Sequence, residues 1–402
     1  MSYVHGLTVQ IGGVVGTQMR LGGSAVPVFF GCAHGVGATA GVATTEPKLI
    51  NNFNNYVETL GWGNLDDDDN PDLSDVNHDY TLDEVAWVLF KLYGVGPAVF
   101  INIYDSENFG GGVSTVVAAD ILEALPMVET AVVDLGIIPS HILAPRYSQN
   151  GALKTGMAAL GPYNGVPVMK IVDMADDPAA GDGEAKAATV VEAEALTHEN
   201  MFGCWPEFGG FPLSTICMAT ALWQDLYRSD GIPLHTPSNK LVRGGITRVE
   251  GERVVRSSWL DDLNKAGVST LKTLGSRTRI WGSQMFSYDE SEDADYINDS
   301  YIPRRLTNYV FERIMSDMDE YVDDPLNTRL IEDALAKLNQ FGTGLIGRGA
   351  MLGFNAAFYA EKNPVAELAA GKIVLTVNLL PAREASNIVI DLIIDLNMFG
   401  NL

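Results

Sequence analysis

The sequence predicts an α/β layer with a mostly parallel sheet, followed by a second unit of mixed α+β character with strand-like segments at both chain ends. Three observations carry this prediction. Apolar strand-like runs alternate with alanine-rich helical patterns over residues 97–206, the pattern changes after Gly244 and Gly245, and each end of the chain holds an apolar run of strand type. At 402 residues the chain exceeds the ~250–300 residues at which a single core usually stops growing, so two or three units are expected.

The elements follow in order. Leu7, Val9 and Ile11 alternate with Thr8 and Gln10 at the period of a half-buried strand, and glycines at 12, 13 and 16 follow as a flexible tether. The spacing predicts a helix over Thr81 to Tyr93, with Thr81 and Glu84 as a capping box. Val85, Val88, Leu89 and Leu92 form its apolar stripe, and Gly94 is its C-terminal cap. Strands are expected in PAVFINIYD (97–105), HILAP (141–145), VPVMKIVDM (166–174) and MFGCWP (201–206), with a helical pattern at 183–196. A second domain is expected to begin near residue 247. It holds two helices, at about 303–322 and about 327–341, with Pro325 between them. Leu330, Ile331, Ala334, Leu335, Leu338 and Phe341 give the second helix one buried face. After the strand KIVLTVNLL, Pro381 and the run AREAS detach a final segment whose residues 388–396 hold seven aliphatic side chains and two aspartates. An apolar strand of this kind is an aggregation hazard unless covered, so each end must pair either with the chain's own sheet or with a neighbouring subunit.

With 47% hydrophobic and 19% charged residues the composition is globular, which excludes a disordered or fibrous chain. Twenty-six basic against 51 acidic residues give a net charge of −25, which would repel a phosphate backbone and excludes nucleic acid as an expected partner. The acidity is uneven: residues 1–200 hold 7 basic and 25 acidic side chains, a net −18, whereas 201–402 hold 19 and 26, a net −7. Within the second half, residues 240–279 carry nine basic residues and four acidic ones. Three cysteines without C-x-x-C spacing offer neither a disulfide framework nor a zinc knuckle and fit a reducing cytoplasm. The N-terminus lacks the basic and continuous apolar regions of a signal peptide, and no uninterrupted apolar run reaches 18 residues, so neither secretion by that route nor a membrane span is expected.

Several fragments invite a catalytic reading that their context opposes. HGVGATAG (34–41) resembles a protease histidine motif, and TICMAT (215–220) a nucleophile motif with cysteine in place of serine. A subtilisin-type triad runs Asp, His, Ser, yet the first acidic residue is Glu46, after His34. Gly35, Gly37 and Gly41 have the wrong spacing for a dinucleotide site, and no Walker lysine follows a glycine cluster, GGG at 110–112 included. Asp66, Asp68 and Asn70 match the first positions of a calcium loop, but Pro71 replaces its glycine and Asn77 its bidentate glutamate. The six histidines form no metal-binding pair. No catalytic residue, cofactor or metal ligand is therefore expected.

A resemblance supplies what the motifs do not. LNKAGVSTLKTLGSRTRIWGSQMF (263–286), YIPRRLTNYVFERIM (301–315) with its paired Arg304 and Arg305, and AGKIVLTVNLLPAREASNIVIDL (370–392) resemble the C-terminal region of contractile phage tail sheath proteins, and SDGIPLHTPSNKLVRGGI (229–246) the passage into it. This resemblance covers roughly residues 225–400 and carries no catalytic signature. It implies an N-terminal arm (1–22), a small α/β region (23–110), a subtilisin-like α/β domain (111–247), an α+β sheath C-terminal domain (248–383) and a C-terminal arm (384–402). It also implies a non-enzymatic subunit that stacks as hexameric rings around a tail tube, contracts without nucleotide hydrolysis, and meets baseplate and terminator proteins in a virion tail assembled in the host cytoplasm. The sheath of an R-type bacteriocin or extracellular injection system is the alternative, and a hydrolase on a subtilisin-like fold the rival from another class. On this reading the arms add strands to neighbours through Leu7, Val9, Ile11, Ile388, Ile390, Leu392 and Ile394. The contrast between the basic run and the six carboxylates of Asp289 to Asp299 points to Arg277 and Arg279 as tube contacts, with pairing between subunits as the alternative.

Overall fold

The computed structural model describes residues 26–35, 46–65, 72–105, 109, 112–163, 165–275, 277–291 and 295–386, with the backbone of 8–11 and 14–17. Two short strands, β1 (Thr8–Ile11) and β2 (Val14–Thr17), come first. Then follow β3 (Val26–Gly31), β4 (Lys48–Ile50), α1 (Phe53–Leu60), α2 (Thr81–Ala86), β5 (Ala98–Asn102), α3 (Ala118–Ala124), α4 (Met127–Leu135), β6 (Pro139–Leu143), α5 (Gly151–Ala158), β7 (Met169–Asp173), α6 (Asp182–Glu194), β8 (Met201–Cys204) and α7 (Leu213–Arg228). The last third holds α8 (Leu260–Lys265), β9 (Val268–Leu274), β10 (Arg277–Trp281), α9 (Tyr301–Met318), α10 (Thr328–Gly347), β11 (Met351–Phe358), α11 (Val365–Ala369) and β12 (Leu375–Pro381).

Eight strands form one sheet in the order β10-β9-β8-β7-β6-β3-β5-β4. The six inner strands run parallel, and β4 and β10 close the edges antiparallel. Side chains alternate across a pleated sheet, so each apolar strand must feed two cores when helices cover both faces. Phe29, Phe100, Leu143 and Ile171 enter the core beneath α1, α2, α7, α9 and α10. Their neighbours Val28, Phe30, Val99, Ile101, Ile142 and Val172 enter the opposite core beneath α3, α4, α5, α6 and α8. Burial on both faces is why these strands read as continuous apolar runs.

This sheet crosses the boundaries expected at 110/111 and 247/248. β3 and β5, from the region expected to be a separate small unit, lie beside β6, and β9 and β10 extend the sheet beyond β8. Parallel pairing at Gly203↔Val268 and Cys204↔Ser269 makes that extension. The local pattern change after Gly245 marks a connection between elements of one sheet, because strand order is set by long-range pairing that sequence periodicity does not encode.

The helix expected over Thr81 to Tyr93 forms with a different start. Tyr80 precedes it, and the Thr81 hydroxyl accepts the Cys32 amide at 3.0 Å instead of capping the helix. After α2 the backbone continues as π-helical turns over Trp87–Tyr93 and ends at Gly94, whose φ of 64° favours glycine. The N-terminal run also differs from the expected lone strand and glycine tether: β1 pairs antiparallel with β2 in the register Val9↔Gly16 and Ile11↔Val14, so Gly16 belongs to a strand.

Candidate intersubunit surface

α10 presents Ala334, Leu338 and Leu345 to the core at helical spacing, and the ribbon of β11 and β12 lies on it. Gly342 makes this close approach possible, since a Cβ there would lie 2.0 Å from Cδ1 of Phe354. Phe354, Leu375, Val377 and Leu379 rest against the core on the inner face of the ribbon, while Leu352 (65% exposed) and Leu380 (46%) are exposed.

Asn339 of α10 decides which edge of the ribbon is available. Its side-chain amide donates to the Ala356 carbonyl at 2.9 Å and its Oδ1 accepts the Ala356 amide at 2.9 Å. Ala356 therefore spends both backbone groups away from Val377, the residue opposite it. Antiparallel pairing alternates, so Leu375, Val377 and Leu379 direct their N–H and C=O groups outward from β12. The outer edge of β11 is thus capped by a helix side chain, whereas β12 has no second strand beside it among the described residues.

The AREAS run is anchored further than a free tether would be. The Ala382 amide donates to the Ala350 carbonyl at 2.9 Å, the Arg383 guanidinium lies 5.6 Å from the Tyr296 ring centroid, and Glu384 accepts from the Ser300 hydroxyl. These contacts hold Ala382 to Glu384 beside the ribbon and the start of α9. Leu7, Ile388, Ile390, Leu392 and Ile394 lie outside the described residues, and Val9 and Ile11 are described by their backbone in β1 alone.

Arg277 and Arg279 sit on β10, the edge strand of the large sheet, and not among α9, α10 and the ribbon. Arg277 is exposed, while Arg279 donates to the Asn239 carbonyl and side chain at 3.1 and 3.2 Å. Of the paired arginines, Arg305 makes a buried ion pair with Asp225 of α7 at 2.5 Å, and Arg304 bonds the Asn200 and Asn298 side chains. This pairing across 80 residues joins α9 to the sheet-covering helices.

The protease-like fragments do not form a triad. His34 packs its ring 5.4 Å from Tyr80, and Cys217 is buried in α7 with its sulfur 3.6 Å from that of Cys204. Asp66, Asp68, Asn70 and Pro71 lie outside the described residues, while Asn77 bonds the Gly63 carbonyl and the Asp79 amide. Among the described residues no cluster of three or more His, Cys, Asp or Glu suits a metal ion, and no helix is long and apolar enough to cross a membrane.

One polar centre at the carboxyl ends of β6 and β7 escaped sequence reading. Arg146 donates to Glu84 at 2.7 and 2.8 Å, to Glu207 at 2.9 Å and to the Gly210 carbonyl at 2.6 Å. Asp173 accepts the Arg146 amide and the Ser214 hydroxyl, both at 2.9 Å. Burial raises the Asp173 and Glu207 carboxyls above their usual range, with Arg146 pulling each back. Carboxyl ends of parallel strands are a common ligand site, but here each nitrogen of the Arg146 side chain is committed to a protein acceptor. Arg146 has a positive φ of 63°, which sequence does not display.

No protein-family model matches the chain. The tail sheath protein of Burkholderia phage BcepMu is 32% identical over 139 residues, which is 33% of this chain. The match spans 28% of the length of that curated relative. Among solved structures, the chain is similar to one in the anti-feeding prophage baseplate, with a TM-score of 0.67, 16% identity and coverage of 98% of this chain and 100% of the other. A chain of the PVC sheath complex of an extracellular contractile injection system, in its contracted state, gives 0.65 and 17% over 99% and 100%. A sheath tail protein from Listeria innocua gives 0.52 and 10% over 90% and 96%. The chain therefore has a homologue among phage tail sheath proteins, and its mixed α/β architecture is the fold of sheath subunits.

Proposed function

We propose that the chain is the structural, non-enzymatic subunit of a contractile tail sheath. It polymerises as stacked hexameric rings around a tail tube, with baseplate and terminator proteins at the ends, and contracts without nucleotide hydrolysis to drive the tube through an envelope. The observation that carries this reading is the open edge of β12, whose outward N–H and C=O groups can accept a strand, in a chain that ends in a strand-length aliphatic segment. Residues 388–396 of one copy would add to β12 of a neighbour, and the N-terminal strands would join the same chain of contacts.

The subtilisin-like reading of the α/β layer, facing outward with the ribbon and both arms toward the tube, belongs to this proposal, as do a virion-tail location, assembly in the host cytoplasm and the tube contacts of Arg277 and Arg279. A sheath of an extracellular injection system is the second reading. The similarity to the anti-feeding prophage and PVC chains over nearly the whole length favours it, whereas the phage relative favours a virion.

A single substitution tests the strand contact. Val377→Pro removes an outward N–H that the ribbon does not use, so the subunit should fold with unchanged circular dichroism yet form no striated cylinders by negative-stain microscopy. Removal of residues 387–402 should give the same phenotype. Polymers of either variant would show that β12 does not receive the arm.

A further inference from the structure

The end of α7 and the segment beside β10 form a basic aromatic surface that the strand contacts leave unused. The Arg243 guanidinium lies 3.3 Å from the Trp223 ring centroid, Arg228 approaches the same ring at 5.9 Å, and Trp223 and Tyr227 have centroids 5.4 Å apart. Leu226, Tyr227 and Leu241 are exposed beside them. The surface is held rigidly, because the Asn239 amide donates to the Ile280 carbonyl at 2.7 Å, Ile280 to Lys240 at 3.0 Å and Val242 to Thr278 at 3.0 Å. Gly244 lets the chain pass Leu92, where a Cβ would lie 2.5 Å from that side chain's own Cβ.

The charges on this surface repel one another. Burial holds both Lys240 and His235 below their ordinary values, and the neighbouring Arg228 lowers each further. Among the described residues no carboxylate forms an ion pair with Arg228, Lys240 or Arg243. In a chain with 51 acidic residues and 26 basic ones, this is a concentrated cationic patch. Tyr227, Arg228 and Arg243 are exposed beside the half-buried Trp223, and Trp, Tyr and Arg are the residues that dominate binding energy at protein interfaces.

We propose that this surface docks a second copy of the chain through acidic residues among its positions 1–200. That half holds 25 acidic against 7 basic residues, so every copy carries both halves of the contact. A phosphate backbone fits poorly, since the net charge of −25 would oppose it. Self-assembly as proposed above is a premise, whereas the choice of strand edge is not.

The test uses the full chain with a photo-cross-linking amino acid in place of Leu241, and separately the variant Arg228→Glu/Lys240→Glu. Irradiated polymers should yield cross-linked dimers whose second peptide maps within residues 1–200. The double variant should fold normally by circular dichroism and require about tenfold more protein for half-polymerisation at low salt, a modest contact being multiplied by repetition. Cross-links confined to residues beyond 200 or to a different protein such as a tube subunit overturn the inference. So does a variant that polymerises like the wild type. A wild-type chain that forms no polymer overturns both this inference and the proposed function.

Discussion

Arg305 on α9 and Asp225 on α7 form an ion pair of 2.5 Å with both side chains almost fully buried, and Arg305 also donates to the Tyr301 hydroxyl at 2.5 Å. Through this pair the helices beneath the ribbon are fixed to the sheet that precedes them. A force applied to the ribbon by a neighbouring arm would therefore reach the α/β layer through a buried charged contact as well as through apolar packing.

Asp225→Ala should lower unfolding free energy by about 3–5 kcal/mol, because Arg305 would remain buried without its counter-ion. The double variant Asp225→Leu/Arg305→Met should recover most of that loss, as well-packed apolar pairs commonly replace buried ion pairs without penalty. Urea denaturation of the three proteins measures this. Equal loss in the single and double variants would show that the pair's geometry, not its charge balance, matters.

Glu312, on α9, should make stability fall with rising pH. Burial pushes its carboxyl up to about 7 from 4.5, while Arg313 and Arg305 pull it down by less. A raised native pKa means that the fold binds the proton more tightly than the unfolded chain does. The resulting stabilisation is full below about pH 4.5 and is lost as pH rises through about 7. Glu312→Gln should accordingly gain stability relative to wild type as pH is raised across that window, with little difference at pH 4. Urea melts at pH 4, 6 and 8 read the trend, and a difference independent of pH would contradict it.

Gly342→Ala should destabilise the subunit despite alanine's better helix propensity. The propensity gain is about 1 kcal/mol, whereas a Cβ 2.0 Å from the Phe354 ring forces the ribbon off α10 at about 1–3 kcal/mol. Thermal unfolding settles the sign. Higher stability would mean that the ribbon slides freely on its helix.

Arg277→Glu/Arg279→Glu should leave tube-free polymers able to form while abolishing co-assembly with tube. Co-sedimentation with tube protein distinguishes the outcomes. A variant that decorates tubes normally, or fails to polymerise at all, removes the tube contact from this strand. Their position on the sheet edge, with Arg279 engaged by Asn239, makes Arg277 the stronger contributor.

Much of the secondary structure was legible because its signals are local. The run MKIVD is buried on both faces and reads as continuously apolar, and the stripe of Ala334 and Leu338 repeats at the helical period. The helix from Thr81 was legible in its apolar face and its glycine stop, but not in its cap. Thr81 and Glu84 are each claimed by partners distant in sequence, Cys32 and Arg146. A capping box competes with such partners, and the tertiary contact wins when it also satisfies a buried donor.

The sequence by itself determined the strand and helix periods, the acidic balance with its basic exception, and the presence of a strand-length aliphatic run at 388–396, since each of these is a property of neighbouring residues. Only the tertiary structure decided that one sheet runs from Val26 to Trp281, that Asp225 answers Arg305, and that among the described residues β12 is the open edge of the ribbon. The last point turns on one amide: Asn339 occupies the backbone of Ala356, 17 residues away, and the alternation of antiparallel hydrogen bonds then points Val377 outward. Which groups remain unpaired depends on every pairing made elsewhere in the chain, and that sum exists only once the chain has folded.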